Sequence, residues 1–460
     1  MSAERVLSFD IRDLSMVIKT LVLTVTCFMC VTVMAVDDEL LLPPTMAPEE
    51  FDQPIAQPTG ELSFLQAIVL TLKHNPELAT YAWTIRSKEI DQIEAGLLPN
   101  PEAEIELENF SGSGDIGAFK SAETTIALSQ VIELGDKRMK RRKLASTDRD
   151  LARWDYEVKR VDLLSQTAVA FADVLGEQEN LTIANEINEL ANEIYQTVKK
   201  RVEAGKVSPL EEIKARVELS KTRLSQMNAE RQLAISKQNL VAGWGGTEVT
   251  FNRVLGGFYN IPSLPALATI VSKLNNNPGI ARWATEVSRH QNAINLALAD
   301  TIPDISVSAG LRHLNESDDV AAVASISIPL FIFNNKQTGV QRSEVGLSRA
   351  SKEQAVTEIR LRSALLVAYQ RLNILHQEVT TLKSEILPGA EEAFNASTKI
   401  YRLGKLDLLS LLDAQRTYFE TRQQYVDAVT EYHRVVVAIE RLIGSSLDDR
   451  TDYIAEEAIR

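Results

Sequence analysis

Residues 75–101, NPELATYAWTIRSKEIDQIEAGLLPNP, return as residues 277–303, NPGIARWATEVSRHQNAINLALADTIP. At this offset of 202, Asn75, Pro76, Ala79, Ala82, Ala95 and Pro101 meet Asn277, Pro278, Ala281, Ala284, Ala297 and Pro303. Further along the offset becomes 199 and holds. Lys137, Ala191, Glu193, Gly205, Lys206, Leu210, Ala215, Thr222, Arg223 and Gly245 then meet Lys336, Ala390, Glu392, Gly404, Lys405, Leu409, Ala414, Thr421, Arg422 and Gly444. The three-residue difference falls in a Gly/Ser-rich loop of the first copy and an Asn/Asp-rich loop of the second, where a duplicated fold tolerates it. The chain therefore reads as two copies of one unit.

Each unit reads helix, two strands, a very long helix, a tight turn and a returning helix. Repeat 1 covers residues 61–260, with strands at about 102–110 and 123–132, a long helix at about 137–203 and a return helix at about 208–243. Repeat 2 covers 261–445, with strands at about 304–313 and 321–330, a long helix at about 336–401 and a return helix at about 407–443. The fold class is mainly α with a small β part. Residues 36–60 hold five prolines and several acids and read as an extended leader; 446–460 form an acidic tail.

The strands alternate. Ala103, Ile105 and Leu107 point one way and Glu102, Glu104, Glu106 and Glu108 the other; Ile126, Leu128 and Ile132 continue the apolar theme. In the second copy Ile305, Val307, Ala309 and Leu311 alternate with Ser306, Ser308, Gly310 and Arg312, and Ala322, Ala324, Ile326 and Ile328 form a fourth apolar row. Runs of about nine residues are long enough to cross a bilayer as tilted strands, although a sheet half buried on a soluble core alternates in the same way. Four strands cannot close a barrel, and open edges are not tolerated in lipid. If these strands lie in lipid, two chains would give eight and three would give twelve.

The helices carry heptad seams. Leu361, Leu365, Ala368, Leu372, Leu375, Val379, Leu382 and Ile386 step by 4 and 3, and Leu144, Leu151 and Val158 open the corresponding seam. Each rod should reach ~100 Å at 1.5 Å per residue, with Pro388 bending the second. The last helix has two stripes, one through Leu412, Phe419 and Val426 and one through Leu411, Tyr418, Tyr425 and Tyr432. Two stripes suit a helix with a neighbour on each side.

Composition removes other classes. A net charge of −14 argues against nucleic acid. The two cysteines, Cys27 and Cys30, lie in the apolar run Leu21–Val33, which follows Lys19 and ends near Ala35. That pattern reads as a signal peptide over residues 1–35, leaving no cysteine in the mature chain. Five histidines, at 74, 290, 313, 376 and 433, show no ligand spacing. No metal site, cofactor or catalytic motif is expected, and the protein is not expected to be an enzyme.

Tyr401-Arg402-Leu403-Gly404-Lys405, followed by Leu412-Asp413-Ala414-Gln415-Arg416 and the terminal Leu442-Ile443-Gly444, resembles the TolC family of outer-membrane efflux proteins. Leu97-Leu98-Pro99-Asn100-Pro101, Glu108-Asn109-Phe110-Ser111-Gly112-Ser113-Gly114 and Ser129-Gln130-Val131-Ile132-Glu133-Leu134-Gly135-Asp136-Lys137-Arg138 resemble its cobalt–zinc–cadmium resistance branch. The resemblance implies a homotrimer in the outer membrane of a Gram-negative bacterium, with a twelve-strand β-barrel continued by a twelve-helix periplasmic α-barrel. It also implies a periplasmic adaptor protein and an inner-membrane proton-driven pump as partners, with cargo passing outward, here heavy-metal cations. On this reading Gly205-Lys206 and Gly404-Lys405 form the adaptor-docking tip and Asp413 lies at the periplasmic entrance, Ser410 replacing the first acid of an Asp-x-x-Asp pattern.

Two expectations concern charge. Glu102, Glu104, Glu106 and Glu108 would line the lumen and favour cations. The basic run Lys137, Arg138, Lys140, Arg141, Arg142 and Lys143 would contact lipid headgroups of the inner leaflet. The competing readings are a soluble periplasmic coiled-coil scaffold, the adaptor itself, and an efflux channel for organic compounds.

Overall fold

The computed structural model describes residues 57–114 and 118–447. The proposed signal peptide, most of the leader and nearly all of the acidic tail lie outside these residues. Repeat 1 contains β1 (Gly60–Ser63), α1 (Phe64–His74), α2 (Pro76–Ala95), β2 (Glu102–Glu108), β3 (Glu123–Ile132), α3 (Lys137–Glu203) and α4 (Pro209–Ala242). β4 (Phe251–Leu255) also falls within the 61–260 span, and residues 261–445 contain α5 (Leu267–Ser272), α6 (Pro278–Ala299), β5 (Ile305–Leu314), β6 (Asp319–Ser327), α7 (Gln337–Thr381), a π-helical turn (Leu382–Ile386), α8 (Leu387–Arg402) and α9 (Leu408–Ile443). The order of elements recurs from one repeat to the next.

The repeated Asn-Pro pair has a double task. Asn75 caps α2 by accepting from the Leu78 N–H at 3.0 Å, and its Nδ2 donates to the Gly243 carbonyl at 2.8 Å, just past the end of α4. Asn277 accepts from the Gly279 N–H at 2.8 Å and donates to the Leu442 carbonyl at 2.9 Å, on the last turn of α9. One side chain thus satisfies an orphan donor at a helix start and an orphan acceptor at another helix end. The following proline occupies the first helical turn, where no N–H is missed.

Two short strands escaped the sequence reading. β1 pairs in parallel with β4, joining the two ends of the 61–260 span, and the Thr250 hydroxyl donates to the Pro58 carbonyl at 2.8 Å. The leader is therefore anchored from about residue 58, short of the expected boundary at 60. Leu62, Phe251 and Val254 bury this pair against Phe171, Val174 and Trp244.

The long rods carry two rows of helices. α3 packs against α2 and α6 at the end nearer the large sheet and against α4 and α9 beyond it; α7 packs against α6 and α9. α9 has α3 on one side and α7–α8 on the other, as its two stripes required. α4 and α7 are left at the margins. Leu210, Ile213, Val217, Leu224, Met227 and Ile235 are exposed on α4, and Val345, Val356, Ile359, Val367 and Ile374 on α7.

The second rod is not continuous α-helix. Pro388 has no N–H for the bond to residue 384, and the chain passes through the π-turn at Leu382–Ile386 just before it. The turn shifts the phase of the helix. Leu365, Leu372, Leu375, Val379 and Leu382 are buried as the seam predicted, whereas Ile386, at the far end of the π-turn, is exposed.

Candidate functional site

The large sheet has strand order β2-β3-β5-β6, all antiparallel. Its register sorts most of the side chains into an apolar and a polar face. Ile105 faces the same side as its partner Ile126, which pairs onward with Leu311 and Ala322. Ile105, Leu107, Ile126, Ile132, Val307, Val320 and Ile326 all lie on this face and all are exposed, Ile105 at 75% and Ile326 at 71%. No helix packs broadly on the sheet among the described residues. A soluble sheet would bury such a face; this one leaves a broad apolar surface bare, interrupted by Thr124, Gln130 and His313.

The opposite face is polar. Glu102, Glu104, Glu106 and Glu108 pair with Ser129, Ala127, Thr125 and Glu123, and the row continues through Ser308 and Arg312. The four glutamates share one face, as the alternation predicted. The sequence reading missed that Arg312 neutralises part of this charge, reaching Glu108 at 3.0 Å and Glu123 at 2.8 Å while donating to the Thr125 hydroxyl at 2.9 Å. Arg312 lies about two hundred residues from Glu108 in sequence, so only the register could reveal the clamp.

Where the strands give way to α3, the basic run behaves differently from the expectation. Lys137 is buried, its side chain 7% exposed, and donates to Asp304 at 2.6 Å and to the Ile302 carbonyl at 2.7 Å. Asp304 also accepts from the Leu134 N–H at 3.0 Å. Burial would raise the Asp304 carboxyl, but the hydrogen bonds from Lys137 and Leu134 outweigh it and hold it below the ordinary carboxylate range. Arg141 forms a two-pronged pair with Glu133, and Lys140 donates to the Gly135 carbonyl at 3.0 Å. Arg138 donates to the Gly96 carbonyl, so four of the six cations hold the junction between sheet and helices. Arg142 and Lys143 remain exposed.

At the far end of the rods, Gly205 and Gly404 have φ of +67° and +74°, with open space where a side chain would stand. Each closes its helix with a six-to-one bond: the Lys206 N–H donates to the Arg201 carbonyl at 2.9 Å, and the Lys405 N–H to the Ile400 carbonyl at 3.2 Å. Ser208 accepts from the Leu210 N–H at 3.2 Å. Asp407 accepts from the Ser410 N–H at 3.1 Å and the Ser410 hydroxyl at 2.6 Å, which holds its carboxyl below the ordinary range. The serine in place of an acid at 410 thus strengthens a helix cap. Lys206 and Lys405 are exposed.

The two tips are side by side. Arg201 donates to the Tyr401 carbonyl at 3.2 Å, and its guanidinium lies 4.7 Å from the centre of the Tyr401 ring. Beneath them Ile194, Val198, Ala215, Tyr401, Leu408 and Leu411 form one apolar cluster. Arg201 was not singled out from the sequence. Asp413, higher on α9, projects from the side opposite the buried Leu411 and Gln415 and is 64% exposed. It pairs with Arg416 at 2.6 Å.

Between tip and sheet, α3 and α9 approach closely at Gly176, where a Cβ would overlap the Thr430 hydroxyl. A cavity of about 290 Å³ lies alongside, lined by Asp173, Glu177, Asn180, Asp427, Glu431 and Arg434. Arg434 pairs with Asp173 at 2.8 Å, and Arg422 and Arg441 reach Glu186 and Asp162, so α9 grips α3 by a ladder of arginines. Burial pushes both the Glu177 and Asp427 carboxyls above the ordinary range. Among the described residues no group of His, Cys, Asp and Glu has the geometry of a metal site, and no helix is long and apolar enough to cross a membrane.

Comparison with known proteins adds the context. The family profile described as outer membrane efflux protein matches residues 67–246 and 269–445. The chain is 32% identical over 386 residues to the cobalt-zinc-cadmium resistance protein CzcC of Cupriavidus metallidurans, covering 84% of this chain and 90% of that one. Among solved structures, the CmeC outer membrane channel of Campylobacter jejuni superposes with a TM-score of 0.69 at 15% identity, covering 86% of this chain and 88% of that chain. CusC superposes with a TM-score of 0.68 at 16% identity, covering 90% and 98%. At these identities the structural likeness is one of fold.

Proposed function

The chain belongs to the outer membrane efflux protein family, and from that premise we propose that three copies assemble into a passive conduit for heavy-metal cations. It is an outer-membrane efflux channel of the TolC type with a large periplasmic portion, and not an enzyme. The observation that carries the reading is the bare apolar face of a four-strand sheet whose strands are 7 to 10 residues long. Such a face belongs in lipid. Exposed Phe110 and Phe119 at the loop end supply aromatic anchors of the kind found at membrane interfaces.

The unpaired edges of β2 and β6, which hydrocarbon does not tolerate, call for closure by further copies, and membership of the outer membrane efflux protein family supports three as their number. Three chains give a twelve-strand barrel, and their four-helix rows give a twelve-helix periplasmic barrel. The apolar stripes left at the margins on α4 and α7 suit contact with neighbouring copies. Two matches to one profile, beginning 202 and ending 199 residues apart, support an internal duplication. With the polar face inward, Glu104 and Glu106 carry charge into the lumen without an opposing cation among the described residues, while Glu108 is held by Arg312.

The exposed Gly205-Lys206 and Gly404-Lys405 turns form the surface that meets a periplasmic adaptor, which couples the channel to an inner-membrane proton-driven pump. Asp413 lines the entrance, its charge moderated by Arg416. The metal cargo is supported by the resistance named for CzcC.

The test combines cells and bilayers. Cells lacking the chain should lose tolerance to cobalt, zinc or cadmium, and the wild-type chain should restore it. In planar bilayers Asp413→Asn should lower the preference for cations with little change in assembly. Sensitivity confined to organic compounds would overturn the metal cargo, and a protein that forms no pore would overturn the conduit.

A further inference from the structure

Within one chain, the junction after β3 is closed by the segment that leads into β5. Lys137 enters a buried pair with Asp304 and the Ile302 carbonyl, Leu134 donates its N–H to the same Asp304, and Ile302 packs where Gly135 leaves room. This latch joins the long helix of repeat 1 to the entering strand of repeat 2.

The repeat places the same parts at the other boundary. At offset 199, Lys137 corresponds to Lys336; at offset 202, Asp304 corresponds to Glu102 and Ile302 to Asn100. Glu102 stands at the start of β2, and Lys336 caps α7, nine residues beyond the end of β6; β2 and β6 are the two outer strands of the sheet. Those strands are three spacings apart, about 14 Å, beyond the reach of an ion pair within one chain. Both side chains are exposed, and neither has an ion-pair partner among the described residues. The adjoining segment is bare as well. Ile328, Leu330, Ile332 and Phe333 are all exposed, Phe333 completely, whereas Leu134 and Gly135 at the first junction are half-buried.

We propose that Lys336 of one copy pairs with Glu102 of the next, repeating across the subunit boundary the latch that Lys137 and Asp304 make within the chain. This rests on the trimeric reading and deepens it by naming the contact. Leu97 and Leu98, both exposed on the approach to β2, then cover the Ile328–Phe333 segment of the neighbouring copy. The helix begins one residue later relative to the lysine in repeat 2, with Lys336 itself at φ +62° where Asp136 has φ +58° in repeat 1. The four-carbon lysine stem spans that difference. Charge and apolar surface are complementary on the two sides, and the occupant is a second copy of this chain. The proposal also reassigns Glu102: of the four aligned glutamates, it serves assembly and leaves conduction to the others.

The experiment uses the full chain in detergent. Glu102→Cys with Lys336→Cys, treated with a short bifunctional maleimide, should yield covalent dimers and trimers, and either substitution alone should yield neither. In parallel, Glu102→Lys should lower the temperature at which the oligomer dissociates in SDS, and adding Lys336→Glu should restore it. A particle of three chains that gives no ladder and is indifferent to the charge exchange overturns the latch and leaves the trimer standing. A wild-type particle of one chain overturns the trimer first and the latch with it.

Discussion

The two long rods come from equivalent parts of the repeat but live in different surroundings. α3 is an interior rod, with neighbours along both flanks, and it runs unbroken from Lys137 to Glu203. Its counterpart is a marginal rod, interrupted by a π-turn and bare along the flank of Val345, Val356, Ile359, Val367 and Ile374. The same contrast holds where the rods begin, since Lys137 is latched and Lys336 is free of ion pairs among the described residues. One chain therefore holds one rod packed on both flanks and one left bare along a flank.

The sharpest way to break this comparison is to place charge on the open flank. Ile359 and Val367 are 70% and 68% exposed. Ile359→Glu with Val367→Glu should leave the secondary structure of the chain intact, by circular dichroism, and abolish assembly. An unpaired charge buried in a subunit boundary costs several kcal/mol, and three boundaries multiply the effect. An oligomer that survives would show that this flank faces solvent or pore.

A matched pair of truncations sharpens the same contrast. Leu163 is buried on α3 with Leu78, Ala82, Ile85 and Tyr156. Leu163→Ala should destabilise the folded chain by about 2–4 kcal/mol in denaturant titration. Ile359→Ala should cost the chain no more than about 0.5 kcal/mol, while making the assembled particle easier to dissociate. Equal costs in the two rods would remove the distinction between interior and margin.

The smallest effect lies in the cavity between α3 and α9. Burial raises the Glu177 and Asp427 carboxyls above their unfolded values. The folded state then holds protons that the unfolded state has released, so stability falls as pH rises through the raised values and recovers toward the ordinary carboxylate range. Glu177→Gln with Asp427→Asn should flatten that dependence and raise stability at neutral pH by about 1 kcal/mol or less, because both groups are partly solvated. A double variant with an unchanged pH profile would place the titration elsewhere.

Helix and strand patterns made much of this fold readable in advance. The helical character of α3 and the extended character of β3 follow from apolar periodicity, because phase along a helix or strand is a local property. Pro388 signalled a break, but the register lost in the π-turn, which exposes Ile386, depended on how the chain accommodated the proline. The β1–β4 pair was hidden because four and five residues carry too little pattern.

At the candidate site, the polar row of glutamates and the glycine turns were legible. The Arg312 clamp, the Lys137 latch, the Arg201–Tyr401 stack and the arginine ladder of α9 were not. Each joins residues more than a hundred positions apart, and such pairs are set by register and helix packing. Lys137 is the instructive case. In sequence it reads as one of six similar cations, and only its place beside Asp304 removes it from the surface.

The central claim is that one chain supplies a third of a closed tube. The mass of the purified particle in detergent, measured by light scattering with the detergent contribution subtracted, addresses it directly. Edges left open on β2 and β6 and bare flanks on α4 and α7 predict several chains per particle, three on the proposed assembly, and no stable particle once detergent is removed. A monodisperse particle of one chain, stable without detergent, would contradict the account.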